Sequence, residues 1–179
     1  VLFRSIDDVL NLSRIGRTEL KLVNIDLRIF ATKIFERILE TSTRNDIAFK
    51  VEEHIEIMAD EKLLDIMFTN LISNAIRYSP ANTHVGVGTR VSGDQVEISV
   101  TDQGVGISDA DQIRIFERFY RVDPARSRET GGTGLGLAIV KHICANHGGE
   151  CSVWSSPGQG STFTLKFPVC ASDVVGKSS

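Results

Sequence analysis

Gly131-Gly132-Thr133-Gly134-Leu135-Gly136-Leu137-Ala138-Ile139-Val140-Lys141 places four glycines within six residues and then runs directly into Leu-Ala-Ile-Val. The apolar positions continue at helical spacing through Ile143 and Cys144, so the stretch predicts a loop that opens a helix. Glycine lets backbone approach a ligand, and the first N–H groups of a helix have no partners within it. Such a junction suits an anion such as a phosphate. A plain flexible connector has the same composition, and only the rest of the chain separates the two readings.

Working outward, the 179 residues suit one domain of ordinary size plus a short extra piece. With 41% hydrophobic and 24% charged residues the chain can bury a sizeable core. A net charge of −3 gives no general attraction for nucleic acid or an anionic membrane, so an anion site has to be local. No apolar run approaches the roughly 20 residues that span a bilayer, and no signal peptide is visible, so a soluble, cytoplasmic segment is expected. Cys144, Cys151 and Cys170 are odd in number and share no ligand spacing with His54, His84, His142 or His147. They read as reduced thiols, not as a disulfide frame or a zinc site.

Before the glycines, Leu2, Ile6, Val9, Leu10, Leu12 and Ile15 form a helical stripe ending at Gly16, and residues 17–25 read as a polar, extended connector. Asp26 stands as the N-cap of a core-facing helix through Thr41, and Ile47–Val51 and Ile55–Ala59 alternate as two strands. Asp60 caps a second helix that stops before Pro80. Its polar side carries Asn70, Asn74 and Arg77, then Tyr78; spacings of four and three put the two amides and the guanidinium on one face. Asn is a poor residue for a helix interior, so two of them point to a ligand or, on the plainer reading, to a solvated face.

Val85–Val91 and Gln95–Thr101 read as a hairpin whose second strand ends in Asp102-Gln103-Gly104-Val105-Gly106, which is either an ordinary turn or a loop lying against a ligand. Ser108-Asp109 opens a short helix expected to contain Ile113, Ile115 and Phe116. Residues 122–133 are polar and without periodicity, and read as a mobile cover hinged at each end. The helix after the glycines is expected to run from Gly134 to His147, followed by strands over Glu150–Ser155 and Ser161–Phe167 and a disordered tail at 169–179. His142 and His147 on that helix are expected in structural roles.

Asn70-Leu-Ile-Ser-Asn74-Ala-Ile-Arg-Tyr-Ser-Pro, Asp102-Gln-Gly-Val-Gly, Phe116-Glu-Arg-Phe-Tyr-Arg, Gly132-Thr-Gly-Leu-Gly-Leu and Gly158-Gln-Gly-Ser-Thr-Phe resemble, in order, the five sequence boxes of sensor histidine kinases. The resemblance covers about residues 26–168 and implies an α+β fold of the Bergerat ATP-binding type. That fold is a two-layer sandwich, a mixed sheet of about five to six strands packed on three main helices. Residues 1–16 resemble the end of the family's dimerisation and phosphoacceptor domain, with 17–25 as linker, 26–168 as catalytic domain and 122–133 as its lid. Ala138-Ile-Val-Lys-His and Val153-Trp-Ser are most similar to actinobacterial phosphate-responsive members.

The resemblance also implies roles. Asn74 and Asn70 would hold Mg²⁺, for which amide oxygens are suitable hard ligands. Arg77, where the family usually has Lys, would meet phosphate, and Tyr78 would pack near adenine or ribose. Asp102 would accept from the adenine amino group, with Gly104 and Gly106 against the base; a guanine carbonyl there would meet an acceptor, so ATP should beat GTP. Gly132, Thr133, Gly134, Leu135 and Gly136 would hold the triphosphate, and Thr162 would complete the nucleotide site. Arg118 and Arg121 would act on the transferring phosphoryl group, with Arg121 favoured at the γ-phosphate.

Related ATPases carry a Glu as general base where this chain has Asn70, and an amide takes no proton at neutral pH. Transfer to a protein nucleophile is therefore expected over hydrolysis. None of the four histidines stands in the family's phosphoacceptor setting, so the implied partners are a phosphoacceptor histidine domain of the parent protein and a response regulator. Dimerisation is expected only in the full-length, membrane-anchored protein. The rival readings are a nucleotide-holding regulatory module, a gyrase- or Hsp90-like ATPase, and a Ser/Thr kinase of the anti-sigma type, which the 1–16 helix disfavours.

Overall fold

The computed structural model describes residues 19–42, 44, 46–51, 56–123 and 133–168. The expected helix over 1–16, most of the expected cover with Gly132, and the tail at 169–179 lie outside the described residues.

Two helices start where an aspartate can accept orphan N–H groups. Asp26 accepts from the Ile29 N–H and opens α1 (Leu27–Glu40); Asp60 accepts from the Lys62 and Leu63 N–H groups and opens α2 (Glu61–Tyr78). At the far end of α2, Arg44 donates to the carbonyls of Ile76, Ser79 and Pro80 and is itself gripped by Asp46 at 2.7 and 2.8 Å. The Arg44 guanidinium holds the Asp46 carboxyl down to about 2, well below the usual carboxylate range.

Five strands form one mixed sheet: β2 (Ala48–Val51), β4 (His84–Ser92), β5 (Gln95–Asp102), β7 (Gly160–Pro168) and β6 (Glu150–Ser156), in the spatial order β2-β4-β5-β7-β6. Only β2 and β4 run parallel. The β4–β5 hairpin closes through a two-residue turn in which Gly93 has φ 63°, a conformation that suits glycine.

The connector at 17–25 is not merely extended. Its second half is strand β1 (Leu22–Asp26), which pairs antiparallel with β3 (Glu56–Asp60) as a separate two-stranded sheet. Only Ile25 of β1 is buried, so the segment lacks the alternation that marks a strand.

Val85 and Val87, Val96, Ile98 and Val100, and Phe163 and Leu165 alternate toward one face of the sheet. They meet Leu64, Met67, Phe68, Leu71 and Ile72 of α2, and Ile139, Val140 and Ile143 of α4 (Gly136–Asn146). Alternation by two on the strands and by three and four on the helices thus supplies both halves of a two-layer core. Phe35 of α1 stacks on Phe49 of β2 with ring centroids 4.3 Å apart, extending that core to the sheet edge.

Two expected boundaries shift. The helix after Ser108 is a single turn, α3 (Asp109–Gln112), and does not contain Ile113, Ile115 or Phe116; a capping Ser with three polar residues starts a helix that the following turns do not continue. Helix α4 begins at Gly136, not Gly134, because Gly134 has φ 74° and turns the chain into the helix.

Candidate nucleotide site

Helix α2 forms one wall. Asn70, Asn74 and Arg77 are all half-buried along one side, while Leu71, Ile72, Ala75 and Ile76 face the core. Asn70 answers the problem of an amide inside a helix by donating from Nδ2 to its own Ile66 carbonyl at 2.8 Å. Its Oδ1 is turned to α4: a Cβ on Gly136 would stand 2.5 Å from that oxygen. Glycine is needed at 136 because helix α4 starts against this amide.

Two turns further along α2, about 12 Å by helical rise, the Tyr78 carbonyl abuts Gly104, whose added Cβ would stand 2.9 Å away. The α2 flank therefore joins the glycine-loop end of the site to the Asp102 end.

Asp102 closes strand β5 and is only 7% exposed. Its Oδ1 accepts from the Gly104 N–H at 2.8 Å and the Ser161 N–H at 3.2 Å; Oδ2 has no partner among the described residues. Burial raises the carboxyl above its ordinary value, and the two backbone N–H groups oppose that rise. The loop after it is drawn in by glycines. A Cβ at Gly106, which has φ 71°, would collide with the Ser156 carbonyl, and one at Gly160 would collide with the Asp102 carbonyl. Gly158 N–H donates to the Val105 carbonyl at 2.8 Å, tying the β6–β7 turn to the same loop.

Serines complete this end. Ser155 Oγ accepts from the Ile107 N–H at 2.8 Å, donates to the Gly160 carbonyl, and lies 3.0 Å from Ser161 Oγ. Gln112 of α3 donates to the carbonyls of Ile107 and Ser155, at 3.0 and 2.9 Å.

Thr162 is not brought here. It pairs with Thr101 across β5 and β7, and their hydroxyls lie 3.1 Å apart on the sheet face away from the helices. Successive strand residues point to opposite faces, so Ser161, and not the Thr162 expected in the nucleotide site, stands beside Asp102. The alternation Ser161, Phe163, Leu165 was the signal that marks it.

At the other end, no side chain among the described residues caps α4, and Thr133 Oγ1 accepts from the Leu135 N–H at 3.3 Å. Phe119 N–H donates to the Gly134 carbonyl at 2.9 Å, so the segment around Arg118 and Arg121 lies against the glycine turn. Leu135 is buried in the core and anchors that turn. Arg118 is exposed; Arg121 is half-buried, with Nη2 shut off from solvent and without a hydrogen-bond partner among the described residues.

His147 is structural as expected: its Nδ1 is 2.9 Å from the Ile143 carbonyl and its Nε2 accepts from the Asp60 N–H at 3.3 Å. Among the described residues no group of His, Cys, Asp and Glu could hold a metal, and no helix is long and apolar enough to cross a membrane.

Among the described residues, the groups of this site without a hydrogen-bond partner are Asp102 Oδ2 at one end and Arg121 Nη2 at the other, where the helix also starts with no side-chain cap. An acceptor at one end and donors at the other fit a ligand with an amino-bearing base and an anionic tail.

Residues 59–171 match the family described as histidine kinase-, DNA gyrase B-, and HSP90-like ATPase. The sensor-like histidine kinase SenX3 of Mycolicibacterium smegmatis is 46% identical over 167 residues, covering 91% of this chain and 44% of that protein. The phosphate regulon sensor protein PhoR of Pseudomonas aeruginosa is 33% identical over 166 residues, covering 90% of this chain and 38% of that protein. The chain thus spans less than half the length of these curated relatives.

Among solved structures, the mycobacterial sensor histidine kinase MprB superposes with a TM-score of 0.70 at 30% identity, covering 83% of this chain and 97% of that one. Full-length ShkA in complex with AMPPNP gives a TM-score of 0.78 at 31% identity, covering 94% of this chain and 36% of that one. The chain therefore belongs to the histidine kinase-, DNA gyrase B- and HSP90-like ATPase family and, within it, is the ATP-binding catalytic domain of a sensor histidine kinase.

Proposed function

We propose that this chain binds Mg-ATP along the α2 flank, between Asp102 and the start of α4, and transfers the γ-phosphoryl group to a histidine on a separate phosphoacceptor domain. From there the group would pass to a response regulator. In this reading Asp102 Oδ2 accepts from the adenine amino group, while Gly104, Gly106 and Tyr78 border the base. The backbone of Thr133, Gly134, Leu135 and Gly136, continuing from Gly132, faces the phosphates together with Arg77. Asn74 and Asn70 would hold Mg²⁺ through amide oxygens, and the ion would neutralise charge on the phosphates.

The observation that carries transfer over hydrolysis is Asn70. Its nitrogen is committed to the Ile66 carbonyl, and an amide cannot deprotonate water. The nucleophile is then an imidazole nitrogen of the partner domain, whose electron pair forms the P–N bond as the bridging oxygen leaves with ADP. Arg121, whose Nη2 has no partner among the described residues, offers charge to the group in flight. The relative named phosphate regulon sensor protein PhoR supports placement in a phosphate-responsive branch. In the same reading the chain is the catalytic part of a membrane-anchored sensor that dimerises through its acceptor domain.

The test mixes the chain with a separately made acceptor domain and γ-labelled ATP. An acid-labile phosphohistidine on the acceptor is expected. A folded chain that binds ATP tightly and labels nothing, or that instead releases phosphate steadily on its own, overturns the reading.

A further inference from the structure

Residues 119–121 belong to no helix or strand, so no ladder of backbone bonds holds them. Two anchors do. On one side, Phe119 N–H donates to the Gly134 carbonyl, and a Cβ on Gly134 would stand 2.9 Å from Phe119 Cα. On the other, the Tyr120 hydroxyl donates to Asp111 Oδ1 at 2.6 Å. The second Asp111 oxygen accepts from the Ser108 hydroxyl, and Ser108 caps α3, so this carboxylate is fixed from its own helix. These two hydroxyls, Ser108 first, hold Asp111 below the ordinary carboxylate range. Arg114 lies over the Tyr120 ring, 4.2 Å from its centroid.

Between the anchors the backbone is strained. Phe119 has φ 66°, a region that a bulky residue occupies only where its surroundings over-determine it, and its ring is 66% exposed, so core packing does not impose it. Arg121 follows directly.

We propose that the Tyr120–Asp111 hydrogen bond is a positioning clasp, which fixes residues 119–121 against α3 and so sets the direction of the Arg121 guanidinium. The inference rests on the transfer reading, in which Arg121 meets the γ-phosphate. Tyr120 and Asp111 touch no substrate and act through Arg121. A hydroxyl–carboxylate bond is short and charge-assisted, strong enough to hold a strained turn. A guanidinium displaced by even about 1 Å loses much of its effect on a transition state.

Tyr120→Phe keeps the ring and its Arg114 contact and removes only the hydroxyl. Expected in the 179-residue chain with its acceptor domain is a drop of about tenfold in transfer rate, with ATP-analogue affinity within about twofold of wild type. Asp111→Asn keeps an acceptor oxygen and should fall between the two. In an Arg121→Ala background, adding Tyr120→Phe should cost nothing further, because the clasp has nothing left to aim. The clasp is overturned if Tyr120→Phe transfers at the wild-type rate, if nucleotide affinity falls in step with rate, or if the double variant loses about tenfold again. A wild-type chain that binds nucleotide but transfers nothing overturns the transfer reading instead. The clasp is then judged on the Phe119 amide alone, whose hydrogen exchange must quicken in Tyr120→Phe.

Discussion

The Asp102 end and the α4 end of the site are built on opposite plans. Around Asp102, a carboxylate, two serines and the Gly104–Ile107 backbone sit in a closed hydrogen-bond net under 10% exposed side chains, and one acceptor oxygen is left over. Around Gly134 and Arg121 the segment is tied to other elements by single bonds through Phe119 and Tyr120, and donors are left over among the described residues. A base of fixed shape can be read by a rigid, dry pocket, where a mismatched partner strands a buried charge. A phosphoryl group in motion needs groups that reposition, and low local stability is the cost of that freedom.

The largest effect should come from breaking the rigid end. Asp102→Asn keeps an oxygen for Gly104 and Ser161 but turns an amide N–H₂ toward the adenine amino group. Loss of one charged hydrogen bond plus an unmatched donor is worth about 3 kcal/mol, so ATP affinity should fall about 100-fold in calorimetry while the melting temperature changes little. Wild-type affinity in this variant would remove Asp102 from base recognition.

Gly136→Ala probes the other end. The new Cβ would push on Asn70 Oδ1, turning the amide and disturbing the 2.8 Å bond that its Nδ2 donates to the Ile66 carbonyl, while alanine gains about 1 kcal/mol of helix propensity that offsets a clash of about 1–3 kcal/mol. Stability should therefore move little and ATP affinity about tenfold. The opposite pattern, an unfolded protein or unaltered binding, would show that the Asn70–Gly136 contact is packing alone.

The smallest effect concerns pH and the staple at the Tyr78 end of α2. Asp46 titrates at about 2 in the fold, under the hold of Arg44, against roughly 3.9 in an unfolded chain. A depressed carboxylate lends its full stability above the unfolded value and loses it as pH falls toward the folded one. Thermal melts should thus show wild type above Asp46→Asn at pH 6, converging between about pH 4 and 2. Because the Arg44–Asp46 pair is partly exposed and screened by solvent, the difference should be modest, and an unchanging gap down to pH 2 would mean that the charge is not its source.

Much of this molecule was legible in its residue order. The capping aspartates Asp26 and Asp60, the hairpin of Val85–Val91 and Gln95–Thr101, the apolar faces of α2 and α4 and the Asn70–Asn74–Arg77 side follow from local chemistry and from periods of two and 3.6. Only the tertiary structure decided the rest. It made a strand of Leu22–Asp26, whose partner β3 lies over thirty residues away, and it put Ser161 rather than Thr162 beside Asp102. It also brought Asp111 to Tyr120 and Gly136 to Asn70. Periodicity and capping are properties of neighbours in sequence, whereas register between strands and the meeting of two loops depend on how separate elements share one core.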